Sequence, residues 1–165
     1  MSEYTDFFFH TKGNVSLLEC IELTHPAFPK TFRYVRNHLK ESLIVRHEDG
    51  LSYEYQYQAI DVICDRVSAD LDQEFSINLK DHEDEFISAY RALDDNIPVK
   101  FNYRCYRDDV LSAPINARTG YFIYNVSQND KGDVTFEAKA QPLNSVGTGI
   151  AYTLENAPLL RGIIN

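Results

Sequence analysis

The sequence has few cysteines, and their placement excludes two classes of small protein. Among its 165 residues there are three cysteines, Cys20, Cys64 and Cys105, and no two of them form a C-x-x-C motif. An odd, widely spaced set does not make a disulfide framework and lacks the ligand spacing of a zinc site. Each lies in a strand-like run, so we expect all three to be reduced core residues, as in a cytosolic protein.

Long hydrophobic runs are also missing. No apolar stretch approaches the roughly 20 residues that a membrane-spanning helix needs. Glu3 and Asp6 stand near the N-terminus, where a signal peptide would carry positive charge. The sequence therefore predicts no membrane association and a protein that is made and kept inside a cell until it joins something.

Positive charge is scarce. The chain has 16 Lys and Arg residues against 25 Asp and Glu, which gives a formal net charge of −9 and a pI near 4.9. Because nucleic-acid binding depends on clustered Lys and Arg, we expect no specific binding of nucleic acid. An acidic surface repels nucleic acid instead, although a net charge of this size is also common for solubility alone.

Motifs of enzyme and cofactor sites are absent as well. The chain contains no H-E-x-x-H, G-x-S-x-G, Walker-type or G-x-G-x-x-G motif, and the glycines at 147–149 do not open a helix. The acidic run 81–85 is explained by the first turn of a helix. Arg104 and Arg107 lie beside tyrosines on a strand, which is typical of a solvated or interface face. A Cys–His pair that meets only in space stays open. We nevertheless predict no enzyme, no catalytic residue, no metal and no cofactor.

One stretch combines a strand, a helix and a second strand. Apolar and polar residues alternate over 75–79, which predicts the first strand. Asp81 is a candidate N-cap, and acids followed by apolar residues at helical spacing predict a helix over about 81–94. Pro98 disfavours a helical conformation at the residue before it, so the helical spacing of the apolar residues ends there. Residues 97–106 alternate as a strand with one face on a core and the other on water or a partner.

The rest of the sequence is rich in β-hairpin signals. The Asp-Gly pair at Asp49 and Gly50 predicts one hairpin, and the turn residues at 129–132 predict another. We expect residues 59–64 to extend the strand before them, and residues 121–126 to be covered on both faces. The elements together predict a mainly-β fold, a β-barrel or split barrel, with a single helix.

The chain divides into three parts. Residues 15–141 form the β-rich domain, residues 1–14 an N-terminal arm, and residues 142–165 a C-terminal docking tail. The tail has one acid and one base among many apolar residues, so it must be buried, and we favour a neighbouring subunit over its own core. For the aromatic arm, docking on a neighbouring subunit and packing on the core of its own chain are equally favoured. The candidate interface residues are Phe7, Phe8, Phe9, Tyr152, Leu154, Leu159, Leu160, Ile163 and Ile164.

Short words within these elements resemble a known family. They are LTHP at 23–26, FRYVRN at 32–37, FSINL at 75–79, AYRAL at 89–93, VKFNYR at 99–104, AKAQPLN at 138–144, YT at 152–153 and PLLRG at 158–162. In their order the chain resembles small bacteriophage tail proteins that are known only as a domain of unknown function. More distantly, it is similar to the N-terminal hub-type domain of the lambda-like minor tail protein L. It departs from the family at 56–60, where members carry a Pro-rich word, and in its aromatic arm.

The resemblance implies a hub-like domain that assembles as a homo-oligomeric ring, a trimer or hexamer, at the tip of a long non-contractile tail. The implied partners are other copies, the distal tail protein, the baseplate hub and other tail proteins. The implied location is the virion, after synthesis in the host cytoplasm. An acidic inner wall would discourage DNA from sticking, and the candidate surfaces are the first helical turn and the face of Asp133 and Glu137.

Two other functions stay open. A small ligand- or carbohydrate-binding β-module of the tail tip would expose a row of aromatic side chains, for which Tyr53, Tyr55 and Tyr57 are the candidates. A cytoplasmic enzyme on a β-scaffold would need titratable side chains that converge in a pocket.

Overall fold

The computed structural model describes residues 15–38, 40–64, 74–81, 83–93, 97–130 and 132–140. Within these ranges the chain forms nine strands and a helix. They are β1 (Leu17–Thr24), β2 (Phe32–Arg36), β3 (Ser42–Arg46), β4 (Ser52–Tyr57), β5 (Ile60–Cys64), β6 (Glu74–Lys80), α1 (Glu85–Arg91), β7 (Lys100–Arg107), β8 (Asn116–Gln128) and β9 (Asp133–Ala140). The predicted mainly-β fold with one helix is confirmed for the described part of the chain. The predicted arm and the tail beyond residue 141 lie outside it.

All nine strands belong to one mixed sheet. Its order is β3-β4-β2-β1-β7-β8-β9-β6-β5. The ladders are antiparallel, with the exception of the short parallel ladder that joins β2 to β4. Five neighbouring pairs, β1–β2, β3–β4, β5–β6, β7–β8 and β8–β9, are consecutive in the sequence, as hairpin connections require.

The link between β4 and β5 forces this sheet to curl. These strands are second and ninth in the sheet order, and in a flat sheet seven strand spacings of about 4.8 Å would separate them by roughly 34 Å. Only Gln58 and Ala59 connect them, and three Cα–Cα steps span at most about 11 Å. The sheet therefore bends round until β5 lies beside β2, where Arg36 Nη2 is 3.3 Å from Asp61 Oδ1.

The curl is barrel-like, but no ladder joins β2 to β5 in the described residues. The junction is made by other bonds. The Gln58 N–H donates to Val35 O at 3.1 Å, the Lys80 N–H donates to Ala59 O at 3.0 Å, and the Gln58 side chain donates to the carbonyl of Lys80. We call this junction the seam. The expectation that residues 59–64 extend the preceding strand is wrong, because the chain leaves its β2 partner at the seam and pairs with β6 instead.

The main core fills the inside of the curl. It holds Ile21, Leu23, Phe32, Tyr34, Ile60, Phe75, Ile77, Leu79, Phe86, Ile87, Val99, Phe101, Tyr103, Cys105, Tyr121, Ile123, Val134, Phe136 and Ala138. The helix presents Phe86 to this core. Its ring lies 5.7 Å from the rings of both Phe32 and Phe136, centroid to centroid. Strands from both halves of the sheet order thus meet one helical side chain, as the curl requires.

A second, smaller core lies on the opposite face of β1 and β7. Leu18, Cys20, Val35, Leu43, Val45, Tyr55 and Tyr106 form it. The β3–β4 hairpin covers this face, and the hydroxyl of Tyr106 donates to the carbonyl of Arg46 at 3.0 Å. The C-terminal half of β7 is therefore buried on both faces. The expectation that one face of this strand meets water or a partner is wrong there.

The helix is shorter than its sequence pattern predicts. It spans Glu85–Arg91, whereas the prediction was 81–94, because Asp84 has a left-handed backbone (φ +51°) that interrupts the helix before Glu85. Asp81 still performs the predicted capping, but from further away. Its carboxylate oxygens accept the N–H of Glu85 at 3.2 Å and that of Ile87 at 3.0 Å.

The two predicted hairpin turns are confirmed. In the first, Gly50 has φ +80°, and Asp49 Oδ1 accepts the N–H of Leu51 at 2.8 Å. The second joins β8 to β9 through a bond from the Asn129 N–H to Asp133 O at 2.9 Å. Residues 121–126, however, are covered on one face and not on both. Tyr124 is 41% exposed, next to a bulge at Asn125.

The cysteine prediction holds in part. Cys20 and Cys105 are buried free thiols, as expected for core residues. Cys64 is instead exposed, because it ends β5 at the rim of the sheet.

Replacing Asp81 with Ala should lower the free energy of unfolding by about 1 to 2 kcal/mol, because two N–H groups of the first helical turn lose their acceptor. Chemical denaturation measures this change. Glu83→Ala is the matched control, since that acidic side chain is exposed, and it should change stability by less than about 0.5 kcal/mol. Equal effects of the two substitutions would contradict the capping role of Asp81.

Candidate functional site

A buried ionic cluster lies between β1, β2, β7 and the β3–β4 hairpin. Arg104 is 7% exposed, and it donates from Nη1 to Glu22 Oε2 at 2.9 Å and from Nε to Glu48 Oε2 at 3.0 Å. Arg33 donates from Nε to the other oxygen of Glu22 at 2.9 Å. Because β1 runs between β2 and β7, Glu22 receives one guanidinium from each neighbouring strand.

The protonation of this cluster is fixed by its neighbours. Burial by itself would raise the pKa of Glu22, but the hydrogen bond and charge of Arg104, followed by those of Arg33, hold the pKa below its usual value. Burial also opposes the charged form of Arg104, yet the bonds to Glu22 and Glu48 raise its pKa. Both groups stay ionised and paired at neutral pH. Because the charged groups of Glu22 and Arg104 are already bonded to partners, they fix the hairpin to the sheet and offer no free group for proton transfer.

The neighbourhood of Arg104 in the sequence indicated a solvated or interface face. In the structure this side chain is buried instead. The folded hairpin brings Glu48 over it, and that contact joins residues 56 positions apart. Arg107, three residues on, points elsewhere and pairs with Asp109 at 2.6 Å on the surface. The predicted patch of arginines and tyrosines is thus divided between two environments.

The tyrosine row of β4 is not an open platform. Tyr55 is fully buried, and its hydroxyl lies 2.8 Å from His47 Nε2. Burial lowers the pKa of His47, which is itself 6% exposed, and the nearby Arg104 lowers it further. Tyr53 lies under Arg33, 4.5 Å from ring centroid to Cζ. Of the three, Tyr57 is the most open at 48% exposure, so this row does not present the exposed aromatic surface that a carbohydrate-binding module needs.

A groove of about 820 Å³ opens at the seam. One wall is the start of β1 with the end of β2, at Leu17 and Arg36, and the other is the start of β5 at Ile60 and Asp61. The groove exists because β2 stops early. Asn37 adopts a left-handed conformation (φ +62°), which turns the chain out of the sheet, while β5 runs on past that point.

The two edge strands of the sheet differ in how well they are protected. On β3, Ser42 O lies 3.1 Å from His38 Nε2, and the Arg46 N–H donates to Leu111 O at 2.9 Å. Both ends of that edge are thereby closed. On β5, Ile63 is 60% exposed, and among the described residues no hydrogen bond covers the outward backbone of Val62. An uncovered edge strand is a template for pairing with another chain.

An acidic groove of about 570 Å³ adjoins the seam. Five carboxylates line it, those of Glu41, Glu54, Asp81, Glu83 and Glu85. Of the predicted first-turn acids, Glu83 and Glu85 lie here with the capping Asp81, which is 4% exposed. Asp84 instead accepts a hydrogen bond from Gln128 at 2.7 Å, and Glu85 pairs with Lys30 at 2.6 Å.

The second predicted acidic surface is partly neutralised. On the face of Asp133 and Glu137, Lys139 lies 2.9 Å from Glu74 and 3.6 Å from Glu137. The acidic groove is therefore the stronger candidate for a surface that repels DNA.

The described residues form no metal site and no membrane-spanning helix. Among the residues that the structure describes, no group of three or more His, Cys, Asp or Glu side chains could hold a metal ion. In the same ranges no helix is long and apolar enough to cross a membrane. The predicted interface residues of the arm, Phe7, Phe8 and Phe9, and those of the tail, from Tyr152 to Ile164, lie outside the described residues.

Comparison with known proteins adds no relative. No protein-family model matches the chain, and the search of curated proteins finds no significant match.

The sequence pattern did not reveal the seam. Its determinants are the left-handed Asn37 and the two-residue link at Gln58 and Ala59, and neither forms a motif. No local signal marked it, because Tyr55 and Ile60, five positions apart, lie in the two cores on opposite faces, as an unbroken alternation would place them.

Replacing Arg104 with Met should lower the free energy of unfolding by about 3 kcal/mol, because it leaves Glu22 buried with one cation fewer. Arg91→Met is the control, since the exposed Arg91 bonds Gln128 on the surface at 2.8 Å, and it should cost about 0.5 kcal/mol. Urea denaturation compares them. An Arg104→Met protein as stable as the parent would show that the ionic cluster does not hold the hairpin.

Proposed function

We propose that this protein is a structural ring subunit of a long non-contractile bacteriophage tail tip, next to the distal tail protein and the hub. The proposal rests on the family resemblance of the sequence. The mainly-β fold with one helix agrees with the fold that the resemblance implies. In this proposal the protein acts by assembling, and it resides in the virion.

The single structural observation that carries the proposal is the edge of β5 beside the seam groove, which no other described residue covers. A monomeric protein usually protects its edge strands, as this one does at both ends of β3. An edge left open next to a groove of about 820 Å³ is a surface suited to another protein segment. A different segment of one copy that enters the groove of the next would make a head-to-tail contact, the type that closes into rings.

The acidic groove supports a position along a channel that conducts DNA. Glu41, Glu54 and Glu83 are exposed there, and the chain carries a net charge of −9. Negative charge on a channel wall repels phosphate and lets DNA pass without binding. In a ring that exposes this groove inwards, every copy would contribute the same acidic surface.

Two measurements on the full chain test the proposal. Mass photometry of the purified protein should show a closed species of three or six copies of the 19.0 kDa chain. Gold-labelled antibody against the protein should bind at the tail tip of the virions, away from the head. A chain that stays monomeric and gives no label on tails would refute the proposal.

A truncation examines the docking tail separately. Removing residues 154–165 should abolish the ring while circular dichroism and cooperative unfolding stay those of a folded monomer, because the apolar tail is assigned to a neighbour. A truncated chain that still forms rings would contradict this role.

A further inference from the structure

The backbone of β5 faces the seam with hydrogen-bonding groups that no other described residue bonds. The Lys80 N–H bonds Ala59 O, and in an antiparallel ladder the bonding direction alternates from residue to residue. Asp61 and Ile63 therefore direct their N–H and C=O groups to β6. Those of Ile60 and Val62 point the other way, into the seam.

The start of β1, which forms the opposite wall of the groove, also directs backbone groups into it. The Asp108 N–H bonds Ser16 O, which fixes the alternation along β1. Leu17 then directs its backbone groups away from β7 and towards the side of β2. The ladder between β1 and β2 ends at Glu19 and Arg36, so no residue of β2 reaches Leu17.

The space between these walls is one strand wide. β4 and β1 flank β2 on its two sides, which places them about 9.6 Å apart, twice the strand spacing. β5 continues from β4, while β2 turns away at Asn37. Beyond Arg36, no described strand occupies the position between β1 and β5 that β2 would fill if it continued. The edge of β5 along this position is about 16 Å long.

We propose that the N-terminal arm of a second copy, residues 1–14, enters this groove as an added strand between β1 and β5. This inference rests on the proposed ring and names a contact that the ring requires in addition to the docking tail. Each copy would give one arm and receive one, which links identical subunits head to tail.

The position of the arm selects it as the occupant. Ser16 and Leu17 line the groove, so the fourteen residues before Val15 start at its mouth. Fully extended, they reach about 45 Å, enough for the groove of an adjacent copy. Phe7, Phe8 and Phe9 supply apolar side chains on both sides of an extended strand, where Leu17 and Ile60 offer apolar wall on the inner side.

Two full-length variants disable the two partners of this contact. Val62→Pro removes the N–H that faces the groove and leaves the ladder to β6 intact, since proline is tolerated on an edge strand. Substituting serine for Phe7, Phe8 and Phe9 disables the arm without touching the sheet. Ile44→Pro is the matched control, because the Tyr57 N–H bonds Glu41 O, so Ile44 directs its N–H outward from the β3 edge.

Mass photometry should show that either variant alone is a 19.0 kDa monomer, while the Ile44→Pro control keeps the ring. Mixed in equal amounts, the two defective variants should form a one-to-one dimer, because one intact arm meets one intact groove. Cooperative thermal unfolding of each variant confirms that it is folded, and the serine variant carries the test should Val62→Pro unfold.

Several results would overturn the inference. Rings of Val62→Pro would show that the groove is not used, and rings of the serine variant would assign the groove to another segment, such as the C-terminal tail. If the two defective variants stay monomeric when they are mixed, the arm occupies the groove of its own chain. A dimer of the mixed variants together with unlabelled virion tails would keep the arm contact and reject the phage proposal alone.

Discussion

The two-residue link of Gln58 and Ala59 is the constraint on which the rest of the structure depends. It ties the second strand of the sheet order to the ninth, so a nine-stranded sheet must bend round until its far strands meet. Bending creates an inside large enough for the main core and for the Phe86 side chain of α1. It also produces a seam, since β4 can remain with β2 only until the chain turns towards β6.

The second core follows from the same geometry. Because β4 leads into β5 at the far end of the sheet order, the β3–β4 hairpin cannot lie entirely in the plane of the sheet. Instead, β3 and the first half of β4 lie across β1 and β7. That position covers Glu22 and Arg104, which would be exposed if the hairpin lay flat. Burial of two charges is tolerated because each has a partner, and the same bonds fix the hairpin to the sheet.

Local chemistry predicted the elements well and their arrangement poorly. The Asp49–Gly50 turn, the hairpin of β8 and β9, and the helix with its Asp81 cap were visible because turn residues, period and capping act within a few positions. The burial of Arg104 was not visible, since it depends on Glu48, 56 residues away. The seam was missed for the same reason. Its open edge is a property of which strands pair, and strand pairing is decided by the whole sheet.

The central claim is that β5 keeps an open edge until another copy covers it, and residue-resolved amide hydrogen exchange tests this most directly. The amides of Asp61 and Ile63, bonded to β6, should exchange slowly both in the arm-defective monomer and in the ring. Those of Ile60 and Val62 should exchange rapidly in the monomer and become protected in the ring. Slow exchange of Ile60 and Val62 in the monomer would show that the edge is already covered and would contradict the account.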